Sequence, residues 1–317
     1  MSGKTRLLPP DDTGIAQAAA VLRGGGLVAI PTETVYGLAA RADSAEAVAA
    51  IYRTKGRPDF NPLIVHVSSL DMARKLALFD QAAEDLAQHY WPGPLTMVLP
   101  LREGAPIAPA VTAGLPTIAL RQPAHPLAAR LLVELDLPLA APSANRSYGV
   151  SPTRPEHVLE SLGDAAPPVL DGGPCPAGLE STIVALRPGG GWALLRPGPV
   201  PREELEALLG PAEKSRGATI EAPIEAPGQL EKHYSPGKPV TLDCTAPDPG
   251  QFMIGFGRVD GDVNLSASGD LAEAAAGLYA ALHAGAASAK AAIAVAPIPR
   301  HGMGLAINDR LERAARS

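Results

Sequence analysis

At 317 residues, with 46% hydrophobic and 19% charged residues, the chain is long enough for two soluble domains with a sizeable core. A formal net charge of −6 argues against a protein that coats nucleic acid, and 4% aromatics leave no obvious platform for stacking single-stranded bases. No run of about 18 apolar residues suggests a membrane span, and the N-terminal stretch MSGKTRLLPPDDTG lacks the apolar core of a secretory signal, so a cytoplasmic location is expected.

The first elements alternate between helical and strand patterns. A helix is predicted over Ile15–Arg23, ended by Gly24–Gly26, and a strand over Leu27–Ile30. Asp43 and Glu46 resemble a capping box for a helix reaching about Tyr52. A strand follows at Leu63–Val67, then helices near 70–77 and 81–90, stopped by WPGP at 91–94. Leu95–Leu99 and Thr117–Leu120 read as strands, and Pro126 suits the first turn of a helix ending near Glu134. A strand at Leu139–Ala141 leads into PSAN, and Thr153 with Glu156 suggests a cap for a helix that Gly163 ends. Val169–Asp171, Thr182–Leu186 and Trp192–Arg196 close a strand-rich region, which implies an α/β domain with a twisted mixed sheet.

Residues 210–239 then lose apolar periodicity and fill with Pro, Gly and charge, a linker signature. Beyond them QFMIGFG, VNLS, a helical Asp270–His283, AAIAVAPIP and a last helix Ile307–Ala315 suggest a small second α/β unit. Three nucleotide-motif fragments are decoys. SGKT at Ser2–Thr5 lacks its upstream glycine, Gly255–Gly261 misses the dinucleotide spacing, and Ser235–Lys238 is broken by Pro236 and Gly237. Cys175 and Cys244 fit no metal spacing; free thiols are expected, with one disulfide as the alternative.

The informative residues are polar groups at strand ends. Thr32, Glu33, Thr34 and Tyr36 crowd the end of an apolar strand. Arg53, Lys55 and Arg57 alternate in a way that would turn three cations to one side, towards a polyanion. Arg121, the group Ser143, Asn145, Arg146 and Ser151, the group Glu180, Ser181 and Thr182, and Arg196 fall at further strand edges. No Cys/His/Asp nucleophile set stands out. The set suits binding and polarising an anionic substrate without covalent catalysis.

Six ordered motifs, PTETVYGL, KGRP with NPL, WPGPLT, APSAN, ESTIV and LRPG, closely resemble the YrdC-like family in its longer two-domain form, the threonylcarbamoyl-AMP synthases. The resemblance covers about residues 12–200, and HYSPGKP, NLS…GDL and AINDRLERAA look like the tail of the long form. It implies a YrdC-like catalytic domain over 1–205, a linker or lid over 206–238, and a smaller Rossmann-like α/β domain over 239–317. It further implies a nucleotidyltransferase that joins L-threonine, bicarbonate or CO2, and ATP with magnesium into threonylcarbamoyl-adenylate and pyrophosphate. The product would pass to downstream tRNA threonylcarbamoyl transferase proteins acting at adenosine 37; the rival readings are a non-catalytic, weakly RNA-binding module and a carbamoyl-transfer domain of the kind embedded in hydrogenase-maturation proteins, which the chain's length and two cysteines disfavour. By position, the resemblance assigns Thr34, His66, Arg121, Ala141 and Ser181 to L-threonine. It assigns Arg57, Asn61, Thr117, Ser143, Ser151, Arg196 and Tyr234 to ATP, with Lys55 adding charge against the phosphates and Asn145 supporting the same loop.

Overall fold

The computed structural model describes residues 6–213, 225–226 and 233–316, so most of the expected linker lies outside the described residues, as does SGKT. Ten strands form the larger sheet: β1 (Leu7–Leu8), β2 (Val28–Ile30), β3 (Gly37–Arg41), β4 (Ile64–His66), β5 (Leu95–Pro100), β6 (Thr117–Arg121), β7 (Leu139–Ala140), β8 (Val169–Leu170), β9 (Thr182–Leu186) and β10 (Trp192–Arg196). Their spatial order is β1-β8-β2-β3-β7-β4-β6-β5-β9-β10, with parallel and antiparallel neighbours mixed. The helices of this unit are α1 (Asp12–Arg23), α2 (Ala45–Lys55), α3 (Leu70–Leu76), α4 (Gln81–Tyr90), α5 (Pro109–Thr112), α6 (Pro126–Leu135), α7 (Pro155–Leu162) and α8 (Arg202–Leu209).

Strand periodicity places these layers. Val28 and Ile30 pack with Leu22 of α1 and Leu131 of α6, whereas Ala29 between them faces the larger core with Val48 and Ile51 of α2. Val65 points into that same large core, and its neighbours Ile64 and His66 point to the opposite face. On that opposite face Ile64, Val98, Ala119, Ile183 and Ala185 pack against no helix among the described residues; Ala226 joins their cluster, and Arg187 holds the adjacent Glu225 with two hydrogen bonds.

Several local expectations are corrected. Asp43 does not cap α2: its carboxylate is taken by Arg41, and Ser44 accepts the Ala47 amide instead. The helix also runs to Lys55, where Gly56 turns away at φ 61, so Arg53 is exposed while Lys55 is buried. The three cations therefore do not share one side, because their spacing follows the helical period and not the strand period. Likewise α7 starts after Arg154 with no side-chain cap bond, so Thr153 and Glu156 form no capping box. Strand β3, directly after the PTETVY loop, has no counterpart in the sequence expectation.

The second unit is a parallel four-stranded sheet, β11 (Val240–Thr241), β12 (Gln251–Gly255), β13 (Val263–Asn264) and β14 (Ala292–Val295) in the order β11-β14-β12-β13, with α9 (Leu271–Ala287) and α10 (Met303–Ala315). Its core does not close on itself. Val35, Val150 and Leu179 of the first unit and Tyr234 of the linker complete it. Gly178, at φ 67, lets that approach happen: a β-carbon there would stand 2.5 Å from the backbone of Ala276 in α9. Both cysteines are free, and among the described residues no helix is long and apolar enough to cross a membrane.

Candidate active site

One face of the larger sheet and the strand ends around it line one cavity. It is lined by Thr32, Thr34, Val35 and Gly37, by Ile64 and His66, by Arg121, by Ala141, Pro142 and Ser143, by Glu180, Ser181 and Arg196, and by Arg57, His233 and Tyr234. Strand ends supply part of it, as expected of the polar groups placed there. Arg121 and His66 do stand at such ends, but Ile64 and Ala141 carry the cavity back across the sheet face.

One wall is built around Arg121. Its Nε donates to the Gly93 carbonyl (3.2 Å), which the WPGP turn presents, and Nη1 donates to Thr34 Oγ1 (2.8 Å). Nη2 lies 2.8 Å from Glu33 Oε1, an ion pair with both side chains nearly withdrawn from solvent. The other Glu33 oxygen accepts the Ala124 amide. Burial pushes the Glu33 carboxyl up, but the Arg121 charge and these hydrogen bonds outweigh it and hold it below the usual range. Thr32 Oγ1 accepts the amides of Thr34 and Val35, and so fixes Thr34 on the cavity. Tyr36 points elsewhere, donating to the Gly173 carbonyl. His66 lies beside Arg121, and burial first, the Arg121 charge second, lower its pKa to about 3. It is a neutral imidazole at physiological pH, and its buried Nδ1 has no partner among the described residues.

The facing wall is cationic. Arg196 donates from Nε to the Ser181 carbonyl and from Nη2 to Ser181 Oγ, both at 3.1 Å. Ser181 Oγ is also 2.7 Å from Thr96 Oγ1. Arg57 is aimed by the carbonyls of Asn61 and Pro62, and burial lowers its pKa only to about 10, so it stays charged. Ser143 sits where the APSAN loop bridges Gly37. Over this wall lies Tyr234, fully buried, with its chain pinned by a 2.7 Å bond from the Ser235 amide to the Tyr148 carbonyl. Its hydroxyl has no partner among the described residues. With His233 and Tyr234 in place the cavity holds about 50 Å³. That is room for a few waters and not for a nucleotide.

All five residues expected on the threonine side line this cavity, as do Arg57, Ser143, Arg196 and Tyr234 from the expected nucleotide set. Asn61, Thr117, Ser151, Asn145 and Lys55 do not line it. Ser151 reaches it indirectly, donating to Glu180 Oε1 at 2.6 Å. Thr117 opens β6 opposite Pro100. Lys55 is stapled beneath the APSAN loop, its ammonium donating to the Ser143 and Asn145 carbonyls at 2.6 Å each, and burial pulls its pKa well down. Asn145 donates to the carbonyls of Arg146 and Gly149 and closes the same loop. Glu180 and His233 are cavity residues that the sequence assignment omitted. Each is the immediate neighbour of an assigned residue, which was the available signal.

The family profile for Sua5, YciO and YrdC proteins, described as telomere recombination, matches residues 20–198, and the profile for the C-terminal domain of threonylcarbamoyl-AMP synthase matches residues 200–316. Threonylcarbamoyl-AMP synthase of Bacillus subtilis is 40% identical over 97% of this chain and 94% of its own length. Its counterpart from Pyrococcus abyssi is 38% identical over 94% and 93%. Among solved structures, P. abyssi Sua5 complexed with L-threonine superposes with a TM-score of 0.89 at 35% identity, covering 98% of this chain and 97% of that one. Both units and the order of their elements are thus shared with these relatives. The chain belongs to the Sua5, YciO and YrdC family, as one of its two-domain threonylcarbamoyl-AMP synthases.

Proposed function

We propose that the chain is an L-threonylcarbamoyladenylate synthase, a nucleotidyltransferase acting on L-threonine, bicarbonate or CO2, and ATP. The threonine amine adds to CO2 and loses a proton, giving a carbamate; starting from bicarbonate, a water is lost in place of the proton. A carbamate oxygen then attacks the α-phosphorus of ATP, the bond to the bridging oxygen breaks, and pyrophosphate leaves. The observation that carries this reading is the meeting, in one cavity, of an Arg121–Thr34 wall suited to a carboxylate and a wall of Arg57 and Arg196 suited to phosphates.

Both reactants are anionic, so the work of the site is to suppress their repulsion and align them. Three of the five N–H groups of Arg121 are engaged, which leaves two for the threonine carboxylate, and neutral His66 adds no competing charge. Arg57 and Arg196 face the triphosphate, with Ser143 beside them. Magnesium is expected to arrive with ATP. Among the described residues no group of three His, Cys, Asp or Glu could hold a metal, and the cavity's one carboxylate, Glu180, already accepts bonds on both oxygens. An ion held mostly by phosphate and water oxygens fits such a wall.

The small closed volume supports a lid role for the His233–Tyr234 segment, which has to move out for ATP and back to keep water from the adenylate. The product is expected to serve, in the cytoplasm, the proteins that transfer threonylcarbamoyl to tRNA adenosine 37. The deciding experiment is pyrophosphate release from ATP with threonine and bicarbonate omitted in turn. Release should need both, and activity indifferent to threonine refutes the proposal.

A further inference from the structure

The cationic wall contains an acid for which the reaction above has no use. Glu180 is buried beside Ser181 and Arg196, and three groups bond it: Ser151 Oγ on Oε1 (2.6 Å), and the Tyr279 hydroxyl (2.7 Å) and Arg310 Nε (3.1 Å) on Oε2. Tyr279 belongs to α9 and Arg310 to α10, so two of the three come from the second unit. Arg310 has no exposed side-chain surface. Its Nη1 also donates to the carbonyl of Pro197, the residue after Arg196, at 2.8 Å, and its guanidinium carbon stands 5.6 Å from the centre of the Tyr234 ring. The neighbouring Asp309 contacts Arg310 but is matched by Arg313 at 3.0 Å.

Charge balance gives this arrangement a consequence for the site. Glu180, Arg196 and Arg310 together leave one net positive charge in a buried wall. Without Arg310 the sum is zero, and Arg196 becomes the cation that must compensate Glu180. A guanidinium committed to a buried carboxylate is withdrawn from phosphate. We propose that Arg310, assisted by Tyr279, is a positioning residue that the second unit supplies to the active site. By taking up the charge of Glu180 it leaves Arg196 for the triphosphate and holds Ser151 in place. Burial alone would push the Glu180 carboxyl up, yet Arg310 first, then Arg196 and the two hydroxyls, hold it down at about 2. The threonine wall has its own pair, Glu33 with Arg121, and does not depend on Arg310.

The proposal rests on ATP being the ligand of this wall, and the test uses the full chain. KM for ATP and for L-threonine are measured in pyrophosphate release, alongside ATP affinity by calorimetry, which needs no turnover. Arg310→Met should weaken ATP by roughly tenfold or more and change the threonine KM by less than about threefold. Glu180→Gln combined with Arg310→Met, which restores one net positive charge, should return ATP affinity to within about threefold of the parent. Tyr279→Phe, which removes a bond and no charge, should weaken ATP by about threefold. A domain clamp with no electrostatic role would raise both KM values together and show no recovery in the double variant, and either result overturns the proposal. Should Arg310→Met fail to fold, the double variant and Tyr279→Phe decide alone: an ATP affinity lost in the first or unchanged in the second refutes it. Absence of threonine-dependent release by the parent protein would instead refute the reaction, and leave the calorimetric comparison standing.

Discussion

Consider the replacement of Arg121 by methionine, which keeps most of the side-chain volume and removes the charge. Glu33 would then be a carboxylate whose side chain is 12% exposed and whose one ion-pair partner, at 2.8 Å, is gone. Breaking a buried pair from one side costs about 3–5 kcal/mol. At about 2–4 °C per kcal/mol for a unit of some 200 residues, the melting temperature should fall by about 6–20 °C at pH 7. The dependence on pH is specific. In the parent protein the Glu33 pKa is lowered, so its stabilisation is present above the unfolded carboxyl pKa and is lost as pH falls through the folded value. In the variant only backbone hydrogen bonds oppose burial, the largest effect, so that pKa rises, and the penalty is greatest at neutral pH and shrinks as Glu33 takes up a proton. Scanning calorimetry from about pH 7 to 4.5 should show the parent and variant curves converging towards acid. Glu33→Gln added to Arg121→Met should recover most of the loss at pH 7. A variant melting within about 2 °C of the parent, or a double variant no better than the single one, would refute the reasoning.

Lys55→Met strands the carbonyls of Ser143 and Asn145, each worth about 1–3 kcal/mol when left unbonded; hydrogen exchange should accelerate over residues 143–149, and unchanged protection would show the staple to be dispensable. A chain ending after Gly210 removes Tyr234, Tyr279 and Arg310 together; product yield per folded molecule should fall sharply, and undiminished yield would count against both the lid and the positioning role of Arg310. His157 and His283 stack with ring centres 3.9 Å apart, and burial lowers both pKa values, that of His157 to about 3. Their folded forms resist protonation, so stability is lost as pH drops below the unfolded histidine value of about 6.5, and changing both to glutamine should flatten that fall in melting curves.

The larger sheet was legible where strands run apolar and end at Pro or Gly, as at Thr182–Leu186 and Trp192–Arg196. Strand β3 was not, because its Gly-Leu-Ala-Ala-Arg run lacks β-branched residues and follows a polar loop; it is a strand only because β2 and β7 flank it. The site was legible wherever a motif contacts the cavity directly. Lys55 was expected to add charge against the phosphates and instead lies under the APSAN loop, off the cavity lining; a buried lysine bonded to carbonyls and an exposed one facing an anion look alike in sequence. Arg310 lay within AINDRLERAA but with no role assigned, and Tyr279 carried no signal, because what both do depends on how one unit docks on the other.

Tyr234 adopts φ 65, a left-handed backbone uncommon for a bulky residue. Such a conformation stores about 1–3 kcal/mol. In the lid proposed above, the buried ring would stabilise the closed segment, while its backbone would work against closure like a compressed spring. A latch tensioned in this way sits in a shallower well than its burial alone would suggest. Substrate entry and product exit can then be frequent events on the timescale of turnover, and a glycine at 234 would remove the latch and the spring together.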